Sequence, residues 1–161
     1  MKLEKWALVA EIVSGFSIVI TLIFLLFEVR ANTEATLATT RQSLASRTEA
    51  FLLAQATSPA IAQLAGKARR DEELTYEELY QYAGQLGGLL RLAEEGYLQY
   101  LDGNLDAEYW RTRASNTVDS RLNSRLAREL WYSWSEQGWF TPAFREWLDR
   151  ELEGKYGPRP P

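Results

Sequence analysis

The sequence predicts an all-α protein: an N-terminal transmembrane helix that continues into a stalk, followed by a small helical bundle. Three observations carry this. Residues 6–29 form a predominantly apolar run of membrane length. No Gly or Pro interrupts the chain between Gly15 and Pro59, so nothing local ends a helix there. Beyond that point cap signals recur before stretches of helical period, and no segment sustains strand alternation. The expected divisions are a membrane anchor over 1–31, a helical stalk over 32–57, a soluble helical domain over 58–153 and a flexible tail over 154–161.

The anchor comes first. Its 24 residues rise about 36 Å, enough to cross a hydrocarbon core of about 30 Å with modest tilt. A signal peptide has a shorter apolar region and a basic start without acids. Here Glu4 and Glu11 intrude, and Val29-Arg30-Ala31 is a poor cleavage context. A single-span anchor is therefore expected. Lys2 and Lys5 precede the span and Arg30, Arg41 and Arg47 follow it. The basic C-terminal flank places the soluble domain in the cytoplasm by the positive-inside rule, although the two sides nearly tie.

A small-and-polar stripe runs through this greasy helix. Ala10, Ser14, Ser17, Thr21 and Glu28 recur at alternating spacings of four and three, with one gap at Phe24. In lipid such a stripe faces another helix or water. Ala10, Ser17, Ala31, Ala38, Ala45 and Leu52 share one heptad phase, and Leu37, Leu44 and Phe51 occupy the neighbouring one. A seven-residue repeat maintained past the membrane boundary predicts a left-handed coiled-coil association running from lipid into water. Alanine is common in any helix, so an ordinary amphipathic helix of a globular bundle fits the same positions.

The bundle follows from its punctuation. Ser58-Pro59 is an N-cap followed by proline at the first helical position, restarting a helix to about Arg70. Residues 71–74 are an acidic link. Thr75-Tyr76-Glu77-Glu78 is a capping box opening a helix to Leu101, with Leu79, Tyr82, Ala83, Leu86, Leu89, Leu90 and Ala93 on its buried face. Gly84, Gly87 and Gly88 within it predict close approach of another helix. Asp102-Gly103-Asn104 ends it, and Asp106 caps the next helix, anchored by Tyr109, Trp110 and Ala114. Thr141-Pro142 repeats the cap-plus-proline signal before a last helix whose apolar face is Phe144, Trp147, Leu148 and Leu152.

Composition limits the chemistry. The chain has no Cys, no His and a net charge of −4. It has no block of like charge, so no nucleic-acid partner is expected. The missing residues remove the usual zinc sites, His-ligated haem, and Ser-His-Asp or Cys-His catalysis. No enzyme activity and no cofactor is expected. Asp102-x-Asn104-x-Asp106-x-Glu108 has the outline of a calcium loop, but its sixth position is Ala107 and its twelfth Arg113. Turn and cap chemistry explains it, and no metal is expected. Glu72-Glu73, Glu77-Glu78 and Glu94-Glu95 read as a solvated link, a helix N-terminus and a mixed helix surface.

Three features carry candidate functions. Glu11, Glu28 and Arg30 are the ionisable residues nearest the bilayer. Structural pairing, of Glu11 with Lys5 or a neighbour's amine and of Glu28 with Arg30 or a neighbouring subunit, is favoured over ion handling. Ser14, Ser17 and Thr21 either pack helices closely or, in a ring of helices, line a water-filled pore with Glu28 as its charged ring. Trp131, Trp134, Trp139 and Trp147, with Tyr132, Phe140 and Phe144, form either an aromatic contact surface or the core of two adjacent helices.

Glu11-Ile12-Val13-Ser14-Gly15, Thr21-Leu22-Ile23-Phe24-Leu25 and Glu28-Val29-Arg30-Ala31-Asn32-Thr33 together resemble the N-terminal signature of a widespread group of short bacterial membrane proteins of uncharacterised role. In that group the membrane helix ends in Ile/Val-Arg-x-Asn-Thr. The run Trp139-Phe140-Thr141-Pro142-Ala143-Phe144-Arg145 is similar to their aromatic-Pro-x-Phe segment. This chain carries Glu28 where that group more often has Gln. The resemblance implies a single-pass, all-helical protein of the bacterial inner membrane and supplies no activity. The expected function is a membrane-anchored scaffold or interaction protein, a homo-oligomer formed through its first helix with the lipid bilayer as its other partner. The alternatives are a small oligomeric ion-conducting channel and an accessory subunit facing another membrane protein.

Overall fold

A computed structural model describes residues 2–115 and 120–159, without the side chains of residues 2–5, 7–9 and 113–115. The fold is all-helical, with a long N-terminal helix followed by several shorter ones. Helix α1 spans Lys2–Ala56, as the absence of Gly and Pro beyond Gly15 requires. Its last turn closes through Thr57 N–H to Leu53 O at 3.0 Å, and Pro59, which has no N–H, prevents extension. Within α1 the stretch Ala10–Ala56 contains a window long and apolar enough to cross a membrane, and none of that window is buried.

The chain divides into two compact units, Met1–Thr39 and Thr40–Pro161. The first is a single helical segment whose described side chains are nearly all exposed, with Phe16 at 68% and Phe24 at 72%. Lys2 and Lys5, counted for orientation, have side chains outside the described residues. The second unit takes in the C-terminal part of α1, so residues from Thr40 onward are not a free stalk. Leu44 lies in the hydrophobic core, Arg47 pairs with Glu95 at 2.6 Å, Arg41 pairs with Asp106, and Tyr109 Oη donates to the Arg41 carbonyl at 3.4 Å. From there the chain behaves as an amphipathic helix of a bundle, and its burial comes from intramolecular packing.

Helix α2, Pro59–Arg69, starts as expected: the Ser58 hydroxyl accepts the Ile61 N–H. Helix α3, Tyr76–Leu101, opens on the complete capping box, with Glu78 N–H to Thr75 Oγ1 at 3.2 Å and Thr75 N–H to Glu78 Oε2 at 3.0 Å. Lys67 reaches the same Glu78 at 2.6 Å and ties α2 to the start of α3. Between them Asp71 adopts φ +53°, a left-handed conformation that short polar side chains tolerate best among non-glycine residues. Its carboxylate accepts the Arg125 N–H at 3.2 Å, so this turn caps a helix 54 residues away.

The segment after α3 departs from expectation. Asp106 does cap, accepting the Tyr109 N–H at 2.8 Å. The α-helix it opens, α4, is only Ala107–Tyr109, and the chain widens at once into a π-helix over Trp110–Ser115. Trp110 is an anchor at 5% exposure; the side chain of Ala114 lies outside the described residues. Helix α5, Arg125–Glu136, is capped by Ser124 through the Ala127 N–H at 3.1 Å.

Helix α6, Pro142–Tyr156, follows the predicted Thr-Pro signal, but Thr141 makes no side-chain cap bond. The Thr141 N–H instead donates to Glu94 Oε1 at 2.6 Å, and its hydroxyl is buried without a partner. The helix carries through Gly154 and ends at Gly157, φ +83°, three residues later than the sequence implied. Arg159 beyond it pairs with Glu136 and lies over the Tyr132 ring, so the expected tail is docked at this point. Pro160 and Pro161 lie outside the described residues. The core of the second unit joins Leu44, Leu86, Leu90, Tyr97 and Trp110 to Trp131, Phe144, Leu148 and Leu152.

Candidate functional site

The stripe on α1 is exposed along most of its length. Ala10, Ser14, Ser17, Thr21, Glu28, Ala31 and Ala38 are all exposed, and Ala45 is half-buried. Two of its three hydroxyls are already satisfied within the helix: Ser17 donates to Val13 O at 2.9 Å and Thr21 to Ser17 O at 2.8 Å. Thr33, Thr36 and Thr39 repeat this bond to the carbonyl four residues back. Small size, which lets helix backbones approach, is therefore what the stripe offers a neighbour in the first place.

Glu11, Glu28 and Arg30 are exposed on the isolated chain, and no ion pair joins them to one another or to other described residues. The expected neutralisation of Glu28 by Arg30 does not form. In a hydrocarbon environment a lone charge at the span centre costs about 2.5–3.5 kcal/mol, falling toward the interface, so these two acids favour any arrangement that brings a partner or water.

The four-three spacing continues beyond the positions picked out from sequence. Ala35, Gln42, Glu49 and Ala56, with Leu52 already in the heptad phase, carry it to the end of α1, and all five are exposed. In the second unit Thr40, Leu44, Thr48, Phe51 and Gln55 are the residues that turn inward. The two sets occupy adjacent faces of one helix. Counting the four-three period through to Pro59, rather than stopping at alanines, is the signal that finds the extra members. Ala45, Glu49, Leu52, Leu53 and Ala56 also form one wall of an apolar groove of about 780 Å³, with Leu89, Leu92 and Gly96 of α3 opposite.

The tryptophans resolve differently. Trp131 is fully buried, donates Nε1–H to Asp149 Oδ1 at 2.7 Å and packs on Phe140 at 5.1 Å. Trp134 is buried too, and half-buried Trp147 stacks on Tyr97 at 5.2 Å and meets Trp110 edge-on at 5.0 Å. Only Trp139, 48% exposed and stacked on Trp134 at 5.5 Å, presents an open face. As a contact surface the four-tryptophan set therefore fails. These rings fill the core of a domain that has no disulfide to help it.

The acidic pairs separate as well. Glu94 is 5% exposed, not a surface residue: it bridges Arg91 Nη1 at 2.9 Å and the Thr141 N–H. Its position four residues after Leu90 and three before Tyr97 is the signal in the sequence that finds it on the buried face. Glu72 is paired with Arg70, and Glu95 with Arg47. The contact with Arg70 holds the Glu72 carboxyl below the usual carboxylate range, and the Lys67 contact, aided by the Thr75 N–H, does the same for Glu78. In the calcium-like stretch, Asn104 Nδ2 donates to Gln99 Oε1 at 3.2 Å and Asp106 caps. Among the described residues, no group of three or more acids is placed to hold a metal ion. Comparison with protein-family models, with curated proteins and with solved structures returns no match to this chain.

Proposed function

We propose that this chain is a single-pass protein of the bacterial inner membrane that self-associates through α1 as a cyclic homo-oligomer, with its C-terminal unit acting as a cytoplasmic scaffold or interaction module. One observation supports this above the others. The four-three positions of α1 stay exposed to the end of the helix except at half-buried Ala45, while the adjacent face from Thr40 onward turns inward and places Leu44 in the chain's own core. A helix that served only as an anchor has no need of a second, largely uncovered alanine-bearing face outside the lipid. A partner lying along Ala10, Ser14, Ser17 and Thr21 gains van der Waals contact that bulkier side chains prevent. It also supplies, from its own flanks, a neighbour for Glu11 and Glu28.

Subunit counting tests the proposal. Native mass spectrometry and crosslinking in mild detergent are expected to give a closed oligomer that Ser14→Leu plus Ser17→Leu dissociates. A strict monomer, or an oligomer indifferent to that double substitution, refutes it. Stoichiometric co-purification with a different membrane protein transfers the stripe to a hetero-partner. The ion-conducting alternative requires Ser17, Thr21 and Glu28 to line a wet lumen, and planar-bilayer recording without conductance removes it.

A further inference from the structure

A second cleft, of about 320 Å³, lies between the end of α1, α2, α3 and the start of α5. Its polar wall carries two guanidiniums, Arg69 and Arg121, and six neutral hydrogen-bonding side chains: Ser120 and Ser124, which are engaged, and four others, Gln55, Tyr82, Gln85 and Asn123. No carboxylate lines it among the described residues. That is unusual in a chain of net charge −4. The nearest acids on the α2–α3 link are engaged elsewhere: Glu72 with Arg70, and Asp71 with the Arg125 N–H. Neither Arg69 nor Arg121, nor any of the four neutral groups, makes a side-chain hydrogen bond or ion pair with the described residues, whereas Arg41, Arg47, Arg70, Arg91 and Arg125 are all paired with carboxylates. Buried Leu86 and Leu89 close its floor.

Two guanidiniums that face one cleft without a carboxylate partner among the described residues match a dianion better than a monoanion. A phosphomonoester carries a charge of about −1.5 to −2 at neutral pH, and its oxygens fit the guanidinium fork. The volume exceeds that of a phosphate alone and falls at the low end of small-molecule sites, roughly 300–1,000 Å³. We propose that this cleft binds a small phosphorylated molecule, with Arg69 and Arg121 on the phosphate and Gln55, Tyr82, Gln85 and Asn123 on a hydroxyl-bearing body. The phosphate belongs either to a soluble ester or to a lipid headgroup, and the chemistry recognised is the same.

Isothermal titration of the full chain in non-ionic detergent at low salt tests this, with inorganic phosphate, glycerol 3-phosphate and short-chain phosphatidic acid as separate probes. Saturable binding is expected, tighter for the esters than for inorganic phosphate. Arg69→Gln and Arg121→Gln are each expected to weaken it about tenfold or more, the loss of a charged hydrogen-bonding group. Arg121→Lys, which keeps the charge without the fork, is expected to fall between. Arg125→Gln, a like change outside the cleft, is expected to leave affinity unaltered. Since neither cleft arginine has a side-chain partner among the described residues, near-UV circular dichroism of the variants is expected to match the parent. Tighter binding of phosphatidic acid than of glycerol 3-phosphate assigns a lipid headgroup, and the reverse a soluble ester. Absence of saturable binding for all three probes, or binding that survives the Arg69→Gln/Arg121→Gln double substitution, overturns the proposal.

Discussion

Two glycines of α3 make opposite demands, and substituting each by alanine tests the packing directly. In a helix interior Gly→Ala gains about 1 kcal/mol from backbone entropy. A Cβ at Gly84 meets nothing within 4 Å, so Gly84→Ala is expected to realise most of that gain. A Cβ at Gly96 lies 3.1 Å from Trp110 Cζ3, 3.5 Å from its Cε3 and 3.9 Å from Leu44 Cδ1. Carbon atoms prefer about 3.5–4.0 Å, so the indole has to move by about half an ångström. It has little freedom to do so. Trp110 is 5% exposed and is held by Tyr97 at 5.4 Å, Tyr100 at 6.5 Å and Trp147 at 5.0 Å. Overpacking of this kind costs about 1–3 kcal/mol, which offsets or exceeds the helical gain. The two variants are thus expected to differ by about 1–3 kcal/mol, with Gly84→Ala the more stable. Urea unfolding of the full chain in mild detergent, followed by tryptophan fluorescence, reads this out, since all the tryptophans except Trp6 lie in the unit Thr40–Pro161. A Gly96→Ala midpoint raised as much as that of Gly84→Ala would show that the Gly96–Trp110 approach is not a packing constraint.

The start of α6 gives a second contrast. Glu94→Ala leaves the part-buried Thr141 N–H without its acceptor and is expected to cost about 1–3 kcal/mol. Thr141→Val removes a hydroxyl that bonds nothing and is expected to lie within about 0.5 kcal/mol of the parent, against the loss of about 1 that a working threonine cap would incur; reversal of that order in urea unfolding excludes the Glu94 cap. A third prediction concerns acid. The Tyr109 N–H, with Arg41 adding to it, holds the Asp106 carboxyl below its ordinary value of 3.8. A depressed folded pKa means the stabilisation is complete above that value and is lost as pH falls through the folded one. Stability measured from pH 6 downward is accordingly expected to fall less steeply in acid for Asp106→Asn than for the parent, and identical acid limbs would refute the linkage.

Much of this fold was legible because its signals are local. A capping box needs only Thr75 and Glu78 three residues apart, and α3 runs over the predicted residues to Leu101. Pro59 and Pro142 fix helix starts by lacking an N–H. The apolar helix of the first unit followed from composition, because polar side chains enter residues 12–27 only at Ser14, Ser17 and Thr21. The aromatic set was half legible. Its spacing fitted two helices, but the choice between core and contact surface depended on which rings meet Phe144 and Tyr97.

The sequence by itself determined the helical class, most helix boundaries, the membrane-length apolar run and the four-three stripe on α1. Tertiary structure decided the rest. Glu94 replaces the Thr141 side chain at a helix start 47 residues away, and Asp71 caps a helix 54 residues on. α1 enters the bundle at Thr40 because Leu44 finds a core there and Arg41 and Arg47 find carboxylates on other elements. Arg69 and Arg121 share a cleft though 52 positions apart. The physical reason is one of range. Backbone entropy and capping act within a turn or two and are written in neighbouring residues, whereas burial and charge pairing are settled only when distant segments meet.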